Sequence, residues 1–300
     1  DAMKKLAFKK IDTFATEKSG GNPAAAIYLG AEDELSVNEM QRIAKELAGF
    51  VSEVGYVRQL DETTFDLKYY SSEREVDFCG HATVAIMYDL LKNDARLMEK
   101  QFLDIVTNKG RSVVENRIVQ QDAVFVAAPS PSFSSRKVPK SHLAQALGIS
   151  IDVISAAYPM SIVNAGLETL IVPIGTLQDV LTLIPQFEVS KQFCLENGID
   201  IITVFTDEVA DEANVYRTRV FAPTFGYIED PATGSGNAAL GYYLVENDRW
   251  NGEPISLEQN GLCANSNIVK LLAKYDEHGG GRVAFGGGAV VRIVGEYFLA

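Results

Sequence analysis

A chain of 300 residues, 47% of them hydrophobic and 22% charged, has the composition of an ordinary globular protein with material for sizeable cores. That length suits one large domain or two of about 150 residues each. The formal net charge is −13, no segment concentrates Lys and Arg, and no apolar run approaches the roughly 20 residues of a membrane span. Nucleic acid and membrane are therefore excluded as expected partners, and an acidic substrate would need local donors to hold it. Cys79, Cys194 and Cys263 are odd in number and widely spaced, which reads as reduced thiols. Met3-Lys4-Lys5 runs into Leu6-Ala7-Phe8 without the apolar core of a secretory signal, so a cytoplasmic protein is expected. Asp1 and Ala2, ahead of Met3, are set aside. His81, His142 and His278 form no HxxxH or HExxH spacing and the cysteines no CxxC, so no metal site is expected.

In chain order, the pattern predicts strands over 11–14 and 24–29, separated by the turn Gly20-Gly21-Asn22-Pro23. Ser36, with Glu39 at capping-box spacing, opens a helix to Leu47 that puts Met40, Ile43, Ala44 and Leu47 on one face. Strands are predicted over 50–56 and 65–70. After Cys79-Gly80-His81-Ala82-Thr83 the segment 82–91 is almost entirely apolar, the mark of a helix buried on all sides. Strands over 102–106, 111–115 and 123–127 follow. Pro129–Pro139, with three prolines and four serines, reads as a linker. Helices over 141–147, 177–183 and 188–197 and strands over 161–165, 168–173, 201–206 and 215–222 come next. A second glycine turn, Thr233-Gly234-Ser235-Gly236-Asn237, opens an apolar helix through Val245. Strands over 268–272, 282–285 and 289–298 close the chain, with Gly279-Gly280-Gly281 and Gly286-Gly287-Gly288 as turns.

The two glycine turns are imperfect copies of one device. Gly80 matches Gly234, Ala85 matches Ala239, Tyr88 matches Tyr242 and Leu90 matches Leu244, and each unit follows a strand-like stretch. Each turn delivers a helix N-terminus whose free N–H groups can hold an anion. If the two halves face each other, they enclose a small acidic molecule. The expected domains are 1–128 and 129–288, with the strand over 289–300 as a candidate to complete the first.

Gly21-Asn22-Pro23-Ala24, Ser52-Glu53, Cys79-Gly80-His81-Ala82-Thr83 and Asp230-Pro231-Ala232-Thr233-Gly234-Ser235 occur in this order along the chain. Together they resemble the PhzF-like isomerases of phenazine biosynthesis, relatives of diaminopimelate epimerase and proline racemase. The resemblance implies an α+β, diaminopimelate epimerase-like fold. Two pseudo-repeated domains would each wrap a β-sheet around a central helix, with the active site in the cleft between them. It also implies a homodimer that works without cofactor or metal on a small acidic organic substrate. Matched residue by residue, it places the acid/base glutamate on Glu53, the cleft histidine on His81, and the cleft aspartate and serine on Asp230 and Ser235. Asn22, Gly80 and Gly234 join Ser235 as expected substrate-binding positions.

The residues bear on these roles in their own right. Burial among Phe50, Val51, Val54 and Tyr56 would raise the Glu53 pKa towards neutrality, as a carbon-acid base requires, although an outward-facing strand carboxylate is the plainer alternative. His81 follows a glycine at a helix start, where the dipole disfavours imidazolium. Asp230 and Ser235 fit helix capping as well as substrate binding. Cys79 reads either as a thiol activated by the helix terminus or as a small core residue. Asn22 is either a hydrogen-bonding site residue or a turn former. The epimerase relatives place a cysteine before each glycine turn, whereas here Thr233 stands at the second, and its hydroxyl is too weak an acid for two-base racemisation. Gly234-Ser235-Gly236-Asn237-Ala238-Ala239 also matches the dinucleotide pattern G-x-G-x-x-A, but Glu229-Asp230-Pro231 interrupts the strand that pattern needs. The expectation is a cofactor-independent isomerase. An amino-acid or hydroxy-acid epimerase or racemase and a non-catalytic small-molecule-binding or regulatory protein stand as the alternatives.

Overall fold

The structure, a computed structural model, describes residues 3–278 and 280–300; Asp1, Ala2 and the first glycine of the 279–281 turn lie outside the described residues. The chain divides into two compact units. One reaches up to Val126 and resumes over Gly286–Ala300, and the other is Ala127–Phe285.

The first unit contains β1 (Lys4–Thr13), β2 (Asn22–Leu29), α1 (Val37–Glu46), β3 (Glu53–Gln59), β4 (Thr64–Tyr70), β5 (Glu75–Val76), α2 (Gly80–Lys92), α3 (Ala95–Met98), β6 (Phe102–Thr107), β7 (Gly110–Arg117), α4 (Ile118–Gln121) and β8 (Ala123–Ala127, its last residue in the second unit). β1 begins seven residues before the predicted strand, because Leu6 and Phe8 point inward while Lys4, Lys5 and Ala7 stay exposed. α1 starts with the capping box read from the sequence: Ser36 Oγ accepts from Glu39 N at 3.1 Å and Glu39 Oε1 accepts from Ser36 N at 3.0 Å. Its Ile43 and Ala44 pack with Val54, Tyr56 and Tyr70 in a core under the sheet.

The second unit contains β9 (Ser132–Ser134), α5 (Lys140–Leu147), β10 (Ser161–Asn164), β11 (Glu168–Pro173), α6 (Leu177–Thr182), α7 (Phe187–Asn197), β12 (Ile201–Thr206), β13 (Tyr216–Phe221), β14 (Glu229–Asp230), α8 (Gly234–Glu246), β15 (Ile255–Gln259) and β16 (Asn267–Tyr275). β17 (Gly281–Gly287) and β18 (Ala289–Leu299) end the chain, and β18 pairs antiparallel with β1 in the first unit. The Pro129–Pro139 stretch is not structureless, since β9 within it pairs antiparallel with β10. Among the described residues, no helix is long and apolar enough to cross a membrane.

The two units repeat one pairing scheme. In the first, β1 and β2 are antiparallel, β2 and β3 parallel, β3 is antiparallel to β4, β4 antiparallel to β5 and parallel to β6, and β6 antiparallel to β7. The second unit runs the same six pairings in the same order, from β10 with β11 through to β15 with β16. In both units the long glycine-turn helix is the covered element. α2 buries Ala82 through Met87, Asp89 and Leu91 against β1, β2, β3 and β18, and α8 buries Gly236 through Leu244 against β10, β11, β12 and β16. Burial this complete explains why neither helix carries a polar stripe.

The second unit also buries an ion pair. Arg217 Nη1 donates to Glu258 Oε1 at 2.8 Å with both side chains 0% exposed. The carboxylate further accepts from Asn214 Nδ2 at 2.8 Å and from the backbone N–H groups of Ala210 and Asp211, while Arg217 Nε donates to the carbonyl of Asn260 at 3.0 Å. Removing one member strands the other charge in a dry interior, which typically costs about 3–5 kcal/mol. Glu258→Ala is expected to lower the unfolding free energy by about that amount in urea titration, and the doubly apolar Arg217→Met/Glu258→Leu to recover much of the loss. Equal stability of Glu258→Ala and the parent would show that the pair is not an obligate part of the core.

Candidate active site

Four elements of the first unit converge at one end of its sheet. Glu53 opens β3 opposite Ala24 of β2. Two residues along, Gly55 shares its strand face, and a Cβ there would lie 2.5 Å from Ile86 Cδ1 and 3.8 Å from Ala82 Cβ, so Glu53 projects from the side that α2 covers. Asn22 begins β2, is 4% exposed, and its Oδ1 accepts from Ser52 Oγ at 3.0 Å. Thr13, opposite Asn22 at the end of β1, donates from Oγ1 to the carbonyl of His81 at 2.9 Å. The connecting turn needs glycine: Gly21 has φ +62°, and a Cβ there would lie 2.6 Å from the Thr13 carbonyl. Through these links the register carries Ser52, Glu53 and Asn22 to the start of α2.

That helix starts uncapped. Cys79 occupies the N-cap position with extended backbone, and its side chain makes no capping hydrogen bond to the backbone N–H groups of the first turn. Its Sγ lies 3.2 Å from His81 Nδ1, and it is buried. Among the described residues, neither the buried His81 Nε2 nor the buried Glu53 Oε2 has a hydrogen-bond partner. A buried carboxylate oxygen without a donor disfavours the charged form. Burial accordingly raises the Glu53 pKa from 4.5 to about 7, against a smaller opposing pull from the Arg74 charge. Burial lowers His81 from 6.5 to about 4, leaving a neutral imidazole at neutral pH. Glu53 is thus divided between acid and base forms near pH 7, while the His81 ring stays neutral.

The second unit builds its counterpart on α8. Asp230 closes the two-residue β14, and its Oδ1 accepts from Ala232 N at 3.2 Å. Burial raises its pKa from 3.8 to about 7, with the Ala232 N–H opposing and the Glu229 charge adding to the rise. Glu229 is clamped by Arg219 through contacts of 2.8 and 3.1 Å, and Arg219 also donates to the carbonyls of Val180 and Leu183. Thr233 is a true cap whose Oγ1 accepts from Gly236 N at 3.5 Å and lies 3.4 Å from Ser235 Oγ. Gly234 is fixed by packing, because a Cβ would meet the Phe285 ring at 2.3 Å.

Sequence reasoning missed the clamp that holds this turn. Gln259, fully buried at the end of β15, donates from Nε2 to the Asp230 carbonyl at 2.9 Å and accepts on Oε1 from Thr233 N at 3.0 Å and Asn237 Nδ2 at 2.7 Å. Asn237 also donates to the Thr233 carbonyl and accepts from Thr218 Oγ1, and Asn267 donates to the Pro231 carbonyl at 2.8 Å. The only signal available was a run of amides in otherwise apolar segments. Of the seven positions singled out, the first unit gathers Asn22, Glu53, Gly80 and His81, and the second gathers Asp230, Gly234 and Ser235. The G-x-G-x-x-A spacing serves packing: a Cβ on Gly236 would lie 3.2 Å from both Thr203 Oγ1 and Val220 Cγ2, which leaves no approach for a pyrophosphate. Among the described residues, no three His, Cys, Asp or Glu side chains group as a metal site.

Two half-units, each a strand-wrapped helix with a glycine turn and a perturbed carboxyl, define a diaminopimelate epimerase-like fold. A hydroxyproline epimerase from Agrobacterium vitis matches 98% of this chain and 91% of its own with a TM-score of 0.58 at 10% identity, a likeness of fold alone. A Bacillus anthracis phenazine biosynthesis protein of the PhzF family matches 99% of each chain with a TM-score of 0.85 and 27% identity. In sequence, a Bacillus subtilis (strain 168) protein named uncharacterized isomerase YfhB is 28% identical over 246 residues, 81% of this chain and 82% of its own. Residues 11–295 match the family described as phenazine biosynthesis-like protein, and the chain belongs to that family.

The raised Glu53 pKa has a consequence for stability. Between about pH 4.5 and 7 the folded state holds a proton on Glu53 that the unfolded state has released, so unfolding gains favour as pH rises through that window. Glu53→Gln removes this loss. The variant is expected to melt at the same temperature as the parent near pH 4 and progressively above it up to pH 7, with the difference level beyond. Thermal scans across pH check this, and a constant difference at every pH would show that Glu53 is not held in a desolvated site.

Proposed function

We propose that the protein is a cofactor-independent isomerase that moves a proton between carbons of a small carboxylate-bearing substrate, with Glu53 as the proton carrier. The observation that supports this most strongly is the half-buried Glu53 carboxyl, shifted to about 7, with one oxygen lacking a hydrogen-bond partner among the described residues. Such a group both accepts a proton from carbon and returns it at neutral pH. In the first step the Glu53 carboxylate takes the proton from carbon next to an electron-withdrawing group, and the electron pair moves into an enolate-like system. In the second, the resulting carboxylic acid returns the proton at another carbon of that system. The substrate changes only in the position of its hydrogen and double bond, so no electrons leave it.

Neutral His81 donates or accepts a hydrogen bond at the developing charge without itself changing charge. The N–H groups opening α2 and α8, after Gly80 and Gly234, hold the carboxylate and the delocalised anion. Asp230 and Ser235 orient the substrate. A positioned general base contributes about 10² to 10⁴ in rate, so the helix termini and the pre-set hydrogen bonds supply the larger share.

The pKa of about 7 on Asp230 favours one second reading, an epimerisation in which Asp230 is the second acid/base group. Thr233 gives that reading no support, since its hydroxyl is already engaged as a cap. The isomer produced in deuterated water distinguishes the two. Isomerisation places deuterium at a second carbon, whereas epimerisation places it at the inverted centre.

The test is a screen of small unsaturated and α-amino carboxylates for carbon-bound deuterium uptake, followed by Glu53→Gln on any substrate found. The amide preserves shape and hydrogen bonding but cannot accept a proton from carbon, so uptake is expected to fall by about 10² or more with ligand affinity kept. Uptake at the parental rate in Glu53→Gln would remove Glu53 from the mechanism.

A further inference from the structure

Within the second unit and sharing no residue with the site above, a cavity of about 350 Å³ opens between the 136–140 segment and β10 and β11. Its floor is apolar: Ile162 and Leu170 belong to the buried core, and Val138 and Met160 pack against that core while staying partly open. Its rim is cationic. The Arg136 guanidinium is committed to Glu168 Oε2 at 3.0 Å and to the carbonyl of Asn197 at 3.1 Å. Lys137 and Lys140 are exposed and line the cavity, and neither has an ion-pair partner among the described residues. Lys140 also begins α5, whose N-cap residue is Pro139 and provides no side-chain cap, so the helix presents its open N–H groups at the same place.

In a chain with 40 acidic and 27 basic side chains, two unpaired lysines and an uncapped helix start over an apolar floor form a local inversion of the overall charge. Screening confines the acidic field of distant residues to within about 8 Å at physiological salt, so an anion at this rim responds chiefly to the lysines. The volume lies at the small end of ligand pockets, which hold molecules mainly by apolar contact and orient them by a few polar groups. We propose that this cavity binds a small organic anion with a flat or short apolar body, its carboxylate or sulfonate at Lys137 and Lys140 and its body on Met160, Ile162 and Leu170. This site is independent of the proton-transfer reading, since neither its residues nor its chemistry enter the isomerisation.

The experiment titrates the full chain, labelled with ¹³C at its methionine methyls, with 2-naphthoate and with the uncharged 2-naphthylmethanol. The Met160 methyl, identified by its loss in Met160→Leu, is expected to shift saturably with 2-naphthoate. The alcohol is expected to bind about tenfold more weakly or worse. Lys137→Gln/Lys140→Gln, at two exposed positions, is expected to weaken 2-naphthoate about tenfold while leaving the alcohol unchanged. An unmoved Met160 methyl, equal affinity for both probes, or parental 2-naphthoate affinity in the double lysine variant would each overturn the proposal.

Discussion

A helix that is apolar around its whole circumference persists in water only if other elements cover every face of it, and α2 and α8 place that demand on their units. Burying ten or so such side chains supplies much of the driving force of each core, at about 25 cal/mol per Å² of apolar surface removed from water. The strands respond with the same six pairings in each unit, antiparallel and parallel alternating so that the sheet curls around the helix. A helix enclosed along its length can meet solvent or ligand only at its ends. The glycine turn is how the chain enters the enclosed helix from a sheet end, and the chemistry gathers where that entry leaves backbone N–H groups open.

Burial alone does not make a carboxyl a proton carrier, as a comparison within this molecule shows. Glu258 is completely buried, yet four donors, including the Arg217 guanidinium, surround its two oxygens. It serves the fold as the ion-pair partner of Arg217. Glu53 is less buried, but its inner oxygen has no donor among the described residues and the Arg74 charge acts too weakly to offset desolvation. Each unit of pKa corresponds to about 1.4 kcal/mol between the two protonation states, so the direction of each shift is set by whether donors replace water. At Asp230 the Ala232 N–H on Oδ1 opposes the rise, but burial outweighs it and the Glu229 charge adds to it. Desolvation likewise holds His81 neutral. These three groups are where the structure has given up local stability, a pattern expected of functional rather than structural positions.

Much of this was legible in the residues. The capping box at Ser36, the all-round apolar helices and most strands follow from periodicity, because one buried face or full burial leaves a plain pattern in sequence. The losses have physical reasons. β15 escaped notice because Glu258 and Gln259 interrupt its apolar run, and their burial makes sense only once Arg217, Asn237 and the turn after Asp230 are beside them. β5 and β14 are two residues long, too short for any period to show. Phe50 lies outside β3 and is 46% exposed, because the strand starts only where Glu53 meets Ala24, a register fixed by β2. At the site, residue types and order marked Glu53, His81, Asp230 and the two glycines. The Cys79 to His81 contact and the amide clamp around Thr233 depend on distances that a sequence does not contain.

The central claim is that desolvation holds the Glu53 carboxyl near neutrality in the resting protein. The most direct measurement is a ¹³C titration of the glutamate side-chain carboxyls, with the Glu53 resonance identified by its disappearance in Glu53→Gln. The account predicts a midpoint near pH 7 for that one carboxyl, well above the ordinary glutamate value of 4.5. A Glu53 midpoint in the ordinary range would contradict it, since the carboxylate would then be solvated and too weak a base for the chemistry assigned to it.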